Sequence, residues 1–203
     1  MKLIAGLGNP GPRYVGTPHN LGYEVAERLA SRLGVRLRES SDTQGLVGCG
    51  QVAGEEIIVV KPTTFMNLSG TAVAPLAHEN RLRPEDVFAL VDDVDLPLGA
   101  LRWRRKGGDG GHKGLRSLIA ELESDGFPRL RIGVQPQERP DDVETYVLTA
   151  FDEDEREWVE KIVEAATESV LLAIARGLDM AANRFNGVSI ACPRKKVMTI
   201  EEE

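Results

Sequence analysis

An apolar run, Leu3-Ile4-Ala5-Gly6-Leu7, passes directly into Gly8-Asn9-Pro10-Gly11-Pro12-Arg13-Tyr14-Val15-Gly16-Thr17-Pro18-His19-Asn20, and this junction constrains the fold more than any other stretch. The run reads as a first strand. The glycines and prolines then prevent helix and strand alike for about ten residues. A histidine and two asparagines therefore sit on a stiff loop at a strand end, where a rigid scaffold commonly carries chemistry.

Strands and helices alternate after that loop, which predicts an α/β fold with a largely buried sheet. Thr17 caps a helix with Pro18 in its first turn; Leu21, Val25, Leu29 and Leu33 repeat at helical spacing, and Gly34 ends it. Residues 46–52 and 57–60 read as a hairpin about Ala53-Gly54. Residues 63–68 form a loop, and a helix follows Ser69. Val87 to Val91 is a short buried strand, with Asp92-Asp93-Val94-Asp95-Leu96-Pro97 leaving it as a loop. Further strands are expected at 101–105 and 130–134, with helices at 115–122, 153–176 and 180–185. The stripe of the long helix is Trp158, Ile162, Ala166, Val170 and Ile174. Two regions are expected to move: the glycine-rich 106–114 and the Pro-, Gln- and acid-rich 135–143. The 203 residues suit one domain, taken as 1–187, with a frayed tail at 188–203.

The net charge of -7 argues against a generally basic nucleic-acid coat but not against a local basic site. Cys49 and Cys192 lie far apart in no metal spacing, as in a reduced cytosolic protein. No stretch approaches the ~20 apolar residues of a membrane span, and the first run is too short for a signal peptide.

Five constellations stand out. His19 falls in the first turn of an expected helix, where the helix dipole disfavours imidazolium and suits a proton acceptor; a plain capping histidine is the alternative. Asp92, Asp93 and Asp95 mark a strand exit, where α/β proteins bind ligands. One of them could fix a histidine tautomer, with Asp92 the best placed; a magnesium site or a capped turn are the other readings. Phe65-Met66-Asn67-Leu68-Ser69-Gly70 offers an amide between apolar groups, for a substrate or as a helix cap. Arg102, Arg104, Arg105, Lys106, Lys113 and Arg116 surround a glycine loop, suiting phosphates of RNA, or else a charged sheet edge. Gly6-Leu7-Gly8-Asn9-Pro10-Gly11 matches the dinucleotide fingerprint in letters, but Pro10 and Pro12 oppose the helix that the motif must open.

Taken in order, these segments resemble the bacterial peptidyl-tRNA hydrolase family. The resemblance is carried by Gly6–Gly11 with Tyr14 and His19-Asn20; Lys61-Pro62 with Phe65–Gly70; Asp92–Gly99; Gly107-Gly108-Asp109-Gly110-Gly111-His112; and Phe127–Gly133. It covers most of residues 1–185. It implies one α/β domain with a twisted mixed sheet surrounded by helices. It also implies a cytoplasmic, monomeric enzyme of translation, without metal or cofactor, that cleaves the ester between a peptide and the 3′ ribose of tRNA. Carried over by motif, His19 is the base, Asp92 its orienting partner, and Asn9 and Asn67 hold the substrate. Tyr14, Asn20 and Met66 line the groove; Arg104, His112, Lys113 and Arg131 meet the tRNA, with Arg129 helping.

One departure is Lys113, where the family usually has Asn. Near His19 this cation would oppose imidazolium formation; alternatively it would reach a phosphate. The change motivates a second reading, a non-catalytic RNA-binding relative of the same fold. The fingerprint and acid cluster motivate a third, a nucleotide- or metal-dependent phosphate enzyme.

Overall fold

The computed structural model describes residues 1–136 and 140–190. Among these the strands are β1 (Lys2–Gly6), β2 (Arg38–Glu39), β3 (Gly45–Val52), β4 (Glu55–Pro62), β5 (Val87–Pro97), β6 (Leu101–Arg104) and β7 (Arg129–Gln135). The helices are α1 (Leu21–Arg32), α2 (Ser69–Glu79), α3 (Lys113–Glu121), α4 (Val143–Leu148), α5 (Arg156–Arg176) and α6 (Leu178–Phe185). The strands form one mixed sheet in the order β2-β3-β4-β1-β5-β7-β6. β4, β1, β5 and β7 run parallel, while β2, β3 and β6 pair antiparallel at the edges. This is the single α/β domain expected from the alternation of elements.

Side chains alternate across the sheet. Leu3, Ala5 and Val91 face α2 and α3 through Val73, Leu76, Leu115 and Leu118. Ile4, Phe88 and Leu90 face α1 and α5 through Leu21, Val25, Ile162 and Val170. The burial of both faces follows from parallel strands flanked by helices on either side. On the α1 face the contact is unusually close. A Cβ on Gly22 would overlap the carbonyl oxygens of Leu90 and Leu7, and one on Gly6 would overlap that of Gly22. The start of α1 thus lies bare against β1 and β5.

The hairpin turns at Ala53-Gly54, both with positive φ (51° and 85°), as a two-residue turn between twisted strands requires. Several expectations change. β5 is not a short strand ending at Val91: pairing with β7 carries it to Pro97, with a register shift between Asp93 and Pro97. Asp92 and Asp93 are therefore strand residues. Thr17 does not cap α1; its hydroxyl donates to the Tyr14 carbonyl, and a 3-10 turn, Pro18–Asn20, precedes the helix. The buried face of α5 centres on Val159, Ile162, Val163, Ala166 and Val170, leaving Trp158 and Ile174 only partly covered. Of the segment 135–143, Gln135 ends β7 and Val143 opens helix α4, which Asp142 caps. Residues 137–139 of that segment lie outside the described residues, as does 191–203 of the expected tail. Ser189 bridges to Ala100, and the Ile190 N–H bonds the Gly99 carbonyl.

Candidate active site

Parallel strands bring their C-terminal ends to one edge, where open α/β sheets bind ligands. β1 delivers the Asn9 loop there, adjacent β5 delivers Asp92, and β4 delivers Met66 and Asn67. A cleft of about 560 Å³ opens at this edge, lined by Asn9, Tyr14, His19, Met66, Asn67, Asp92, His112, Lys113 and Arg131 among others. Nine of the expected site residues thus share one cavity, although they come from segments spread over most of the chain.

Asp92 is 4 % exposed. Its Oδ1 accepts from His19 Nδ1 at 2.8 Å and from His112 Nε2 at 3.0 Å. Burial pushes the carboxyl upward. The electrostatic pull of the adjacent His19 ring and the hydrogen bonds from both histidines reverse this and hold it well below the usual carboxylate range. An ionised carboxylate only accepts, so His19 carries its hydrogen on Nδ1 and keeps Nε2 as an acceptor.

Asn9 is 7 % exposed, and its Oδ1 accepts the Met66 N–H at 2.8 Å. That bond fixes the amide orientation and leaves Nδ2 as a donor at the cleft. Asn20 does not line the cleft. It lies behind Asn9, accepting the Asn9 N–H at 2.7 Å and donating to its carbonyl at 3.0 Å. Asn67 is exposed on a 3-10 turn, Met66–Leu68, just before α2, and also lines the cleft.

The backbone after Gly11 makes a single 3-10 turn, Pro12–Tyr14, and no helix long enough to hold a pyrophosphate. The fingerprint match in letters is therefore not a dinucleotide loop. His19, His112 and Asp92 offer ligand atoms within 4.8 Å of one another, a set that by residue type suits a divalent cation.

The basic residues divide. Arg102 and Arg104 are exposed on edge strand β6, outside the cleft, with Trp103 between them buried. Arg131 lines the cleft and pairs with Asp93 Oδ2 at 3.2 Å. Arg129 cannot serve as a surface contact. It is 1 % exposed and donates to the carbonyls of Gly107, Gly108, Asp125 and Phe127, pinning the glycine loop from beneath. Burial, with Arg131 nearby, lowers it to about 10. Lys113 is half exposed and its Nζ pairs with Glu144 of α4 at 2.6 Å. The carboxylate compensates the charge that the sequence suggested for tuning His19.

Sequence reasoning missed two contributors. α4 forms a wall through Val143, Glu144, Val147 and Leu148; its only local signals are the Asp142 cap and the 143/147 spacing. The bond from His112 to Asp92 is tertiary and has no local signal.

The family model for peptidyl-tRNA hydrolase matches residues 3–195. The chain is 41% identical over 189 residues to a protein of that name from Alkaliphilus metalliredigens, covering 92% of this chain and 100% of the other. It is 42% identical over 187 residues to one from Caldanaerobacter subterraneus, with coverage of 92% and 100%. A crystal structure of peptidyl-tRNA hydrolase from Acinetobacter baumannii superposes with a TM-score of 0.86 at 31% identity, over 94% of this chain and 97% of that one. These names do not favour the reading of a non-catalytic RNA-binding relative.

Proposed function

The chain belongs to the peptidyl-tRNA hydrolase family, and from that premise we infer that the cleft hydrolyses the ester between a peptide and the 3′ ribose of tRNA, with His19 as general base. The observation that carries the base assignment is the 2.8 Å bond from His19 Nδ1 to buried Asp92, which turns Nε2 toward the cleft as an acceptor.

An ester needs an attacking water, a base to take its proton, and donors for the developing oxyanion. His19 Nε2 takes the proton, and Asp92 stabilises the imidazolium that forms. Asn9 Nδ2, fixed by the Met66 bond, donates to the substrate carbonyl as it gains charge; Asn67, also at the cleft, holds the peptide. Both amides are neutral and so leave the charge balance of the base undisturbed. Tyr14 and Met66 contact the substrate in the cleft. Arg131 within it, and Arg104 on the β6 edge, meet phosphates of the acceptor stem; Lys113 and His112 line the cleft with Arg131 and meet the tRNA there.

In this reading residues 1–187 form the catalytic unit. The enzyme works in the cytoplasm, where translation releases its substrate, and as a monomer. No helix among the described residues is long and apolar enough to cross a membrane. The test is turnover of N-blocked aminoacyl-tRNA in EDTA. Turnover that persists with chelator and disappears in His19→Ala supports the reading; an active His19→Ala overturns the base assignment.

A further inference from the structure

We infer that His112 is a positioning residue for the reaction, clamping the Asp92 carboxylate so that the His19 ring is held with Nε2 facing the cleft. The inference rests on the reading of His19 as the base.

His112 is pinned at both ring nitrogens. It is the N-cap of α3, and its Nδ1 accepts the N–H groups of Gly114 and Leu115 at 3.1 and 3.2 Å. A nitrogen that accepts in this way bears no hydrogen, so the ring hydrogen sits on Nε2. That Nε2–H points at Asp92 Oδ1, 3.0 Å away. The helix cap thus dictates the direction of the second bond: His112 can only donate to the carboxylate.

The donor has little room to retreat. At Gly114, the second residue of α3, an added Cβ would lie 2.5 Å from Met66 Sδ and 2.9 Å from Leu7. The helix start is therefore packed hard against the elements that carry Met66 and β1.

The consequence falls on His19. A carboxylate held by one donor can rotate and offer either oxygen, letting the ring follow. Here Oδ1 receives two hydrogens from separate elements, the turn before α1 and the start of α3. The two rings stand 5.0 Å apart, tilted by 47°. Each bond restricts the direction in which the other can move.

Two substitutions at His112 separate capping from donation. Asparagine places an amide oxygen near Nδ1 and is a good N-cap, but is too short to donate to Asp92. Glutamine places its amide near Nε2 and can still donate, while losing the cap. For a positioning role, His112→Asn melts near wild type yet loses about 10- to 100-fold in kcat with KM little changed. In NMR spectra of that variant, the His19 Nδ1–H resonance broadens or shifts. His112→Gln recovers most of the turnover and the resonance despite a lower Tm. A wild-type kcat and unaltered His19 signal in His112→Asn overturn the inference, as does His112→Gln being equally impaired. If His112→Asn is normal while His19→Ala is inactive, only this inference falls. If His19→Ala is active, the base assignment itself falls.

Discussion

Asn20 grips Asn9 at both polar groups of its main chain, accepting its N–H at 2.7 Å and donating to its carbonyl at 3.0 Å. Two buried side chains next to the base thus have different duties, one presented to substrate and the other fixing its neighbour. Asn20→Ala leaves both main-chain groups without that partner. It is expected to cost about 1–3 kcal/mol of stability and to lower kcat more than it raises KM. Urea denaturation and steady-state kinetics on N-blocked aminoacyl-tRNA check the two halves; a variant that unfolds earlier yet turns over normally would refute the second.

Glu24 on α1 gives a pH-dependent stability. Burial, with Glu160 and Glu27 nearby, pushes its carboxyl up to about 7, against the pull of Arg156 and Arg28. The folded state therefore binds the proton more tightly than the unfolded chain. Stability linked to this group is present at low pH and declines as pH rises from the ordinary carboxylate value of about 4.3 to about 7. Glu24→Gln should match wild type near pH 4 and exceed it by about 1–2 kcal/mol above pH 7, allowing for partial solvent screening. Melting curves across that range give the answer, and a constant difference would contradict it.

Lys113 and Glu144 form an exposed pair, worth less than about 1 kcal/mol to stability. With each charge compensated by the other, the double variant Lys113→Asn with Glu144→Gln should leave the acidic limb of the pH–rate profile in place. Glu144→Gln removes the compensation. An unpaired cation at the cleft opposes imidazolium formation, so the acidic limb should move to lower pH at low salt and return in high salt. Rate profiles at two ionic strengths decide the matter; a shift in the double variant would restore direct tuning by the lysine.

Arg104 lies on the exposed face of β6, away from the cleft. Arg104→Ala should raise KM for tRNA substrates with little change in kcat. The slope of log affinity against log salt should fall by about 1, the signature of one lost phosphate contact. An unchanged slope would remove Arg104 from the tRNA interface.

The sequence reveals this site unevenly. Asn9 and His19 are legible because Gly-Pro spacing holds them on a short loop, and Asp92 because it follows an apolar run. That Asp92 lies within a strand is not legible, since the extension to Pro97 depends on β7 about forty residues later. Arg129 reads as one more cation beside Arg131; only the packed chain shows it buried under the glycine loop. α4 is missed because six residues are too few for a helical period to stand out among prolines and acids.

The bare approach of Gly22 to the Leu7 and Leu90 carbonyls has a consequence for catalysis rather than for folding alone. Gly22 lies three positions after His19, and Leu90 two positions before Asp92. The span between imidazole and carboxylate is therefore gauged by main chain resting on main chain, with no flexible group in between to absorb an error. A single methyl at residue 22 would act as a wedge, and its displacement would be read directly as distance at the proton-transfer pair.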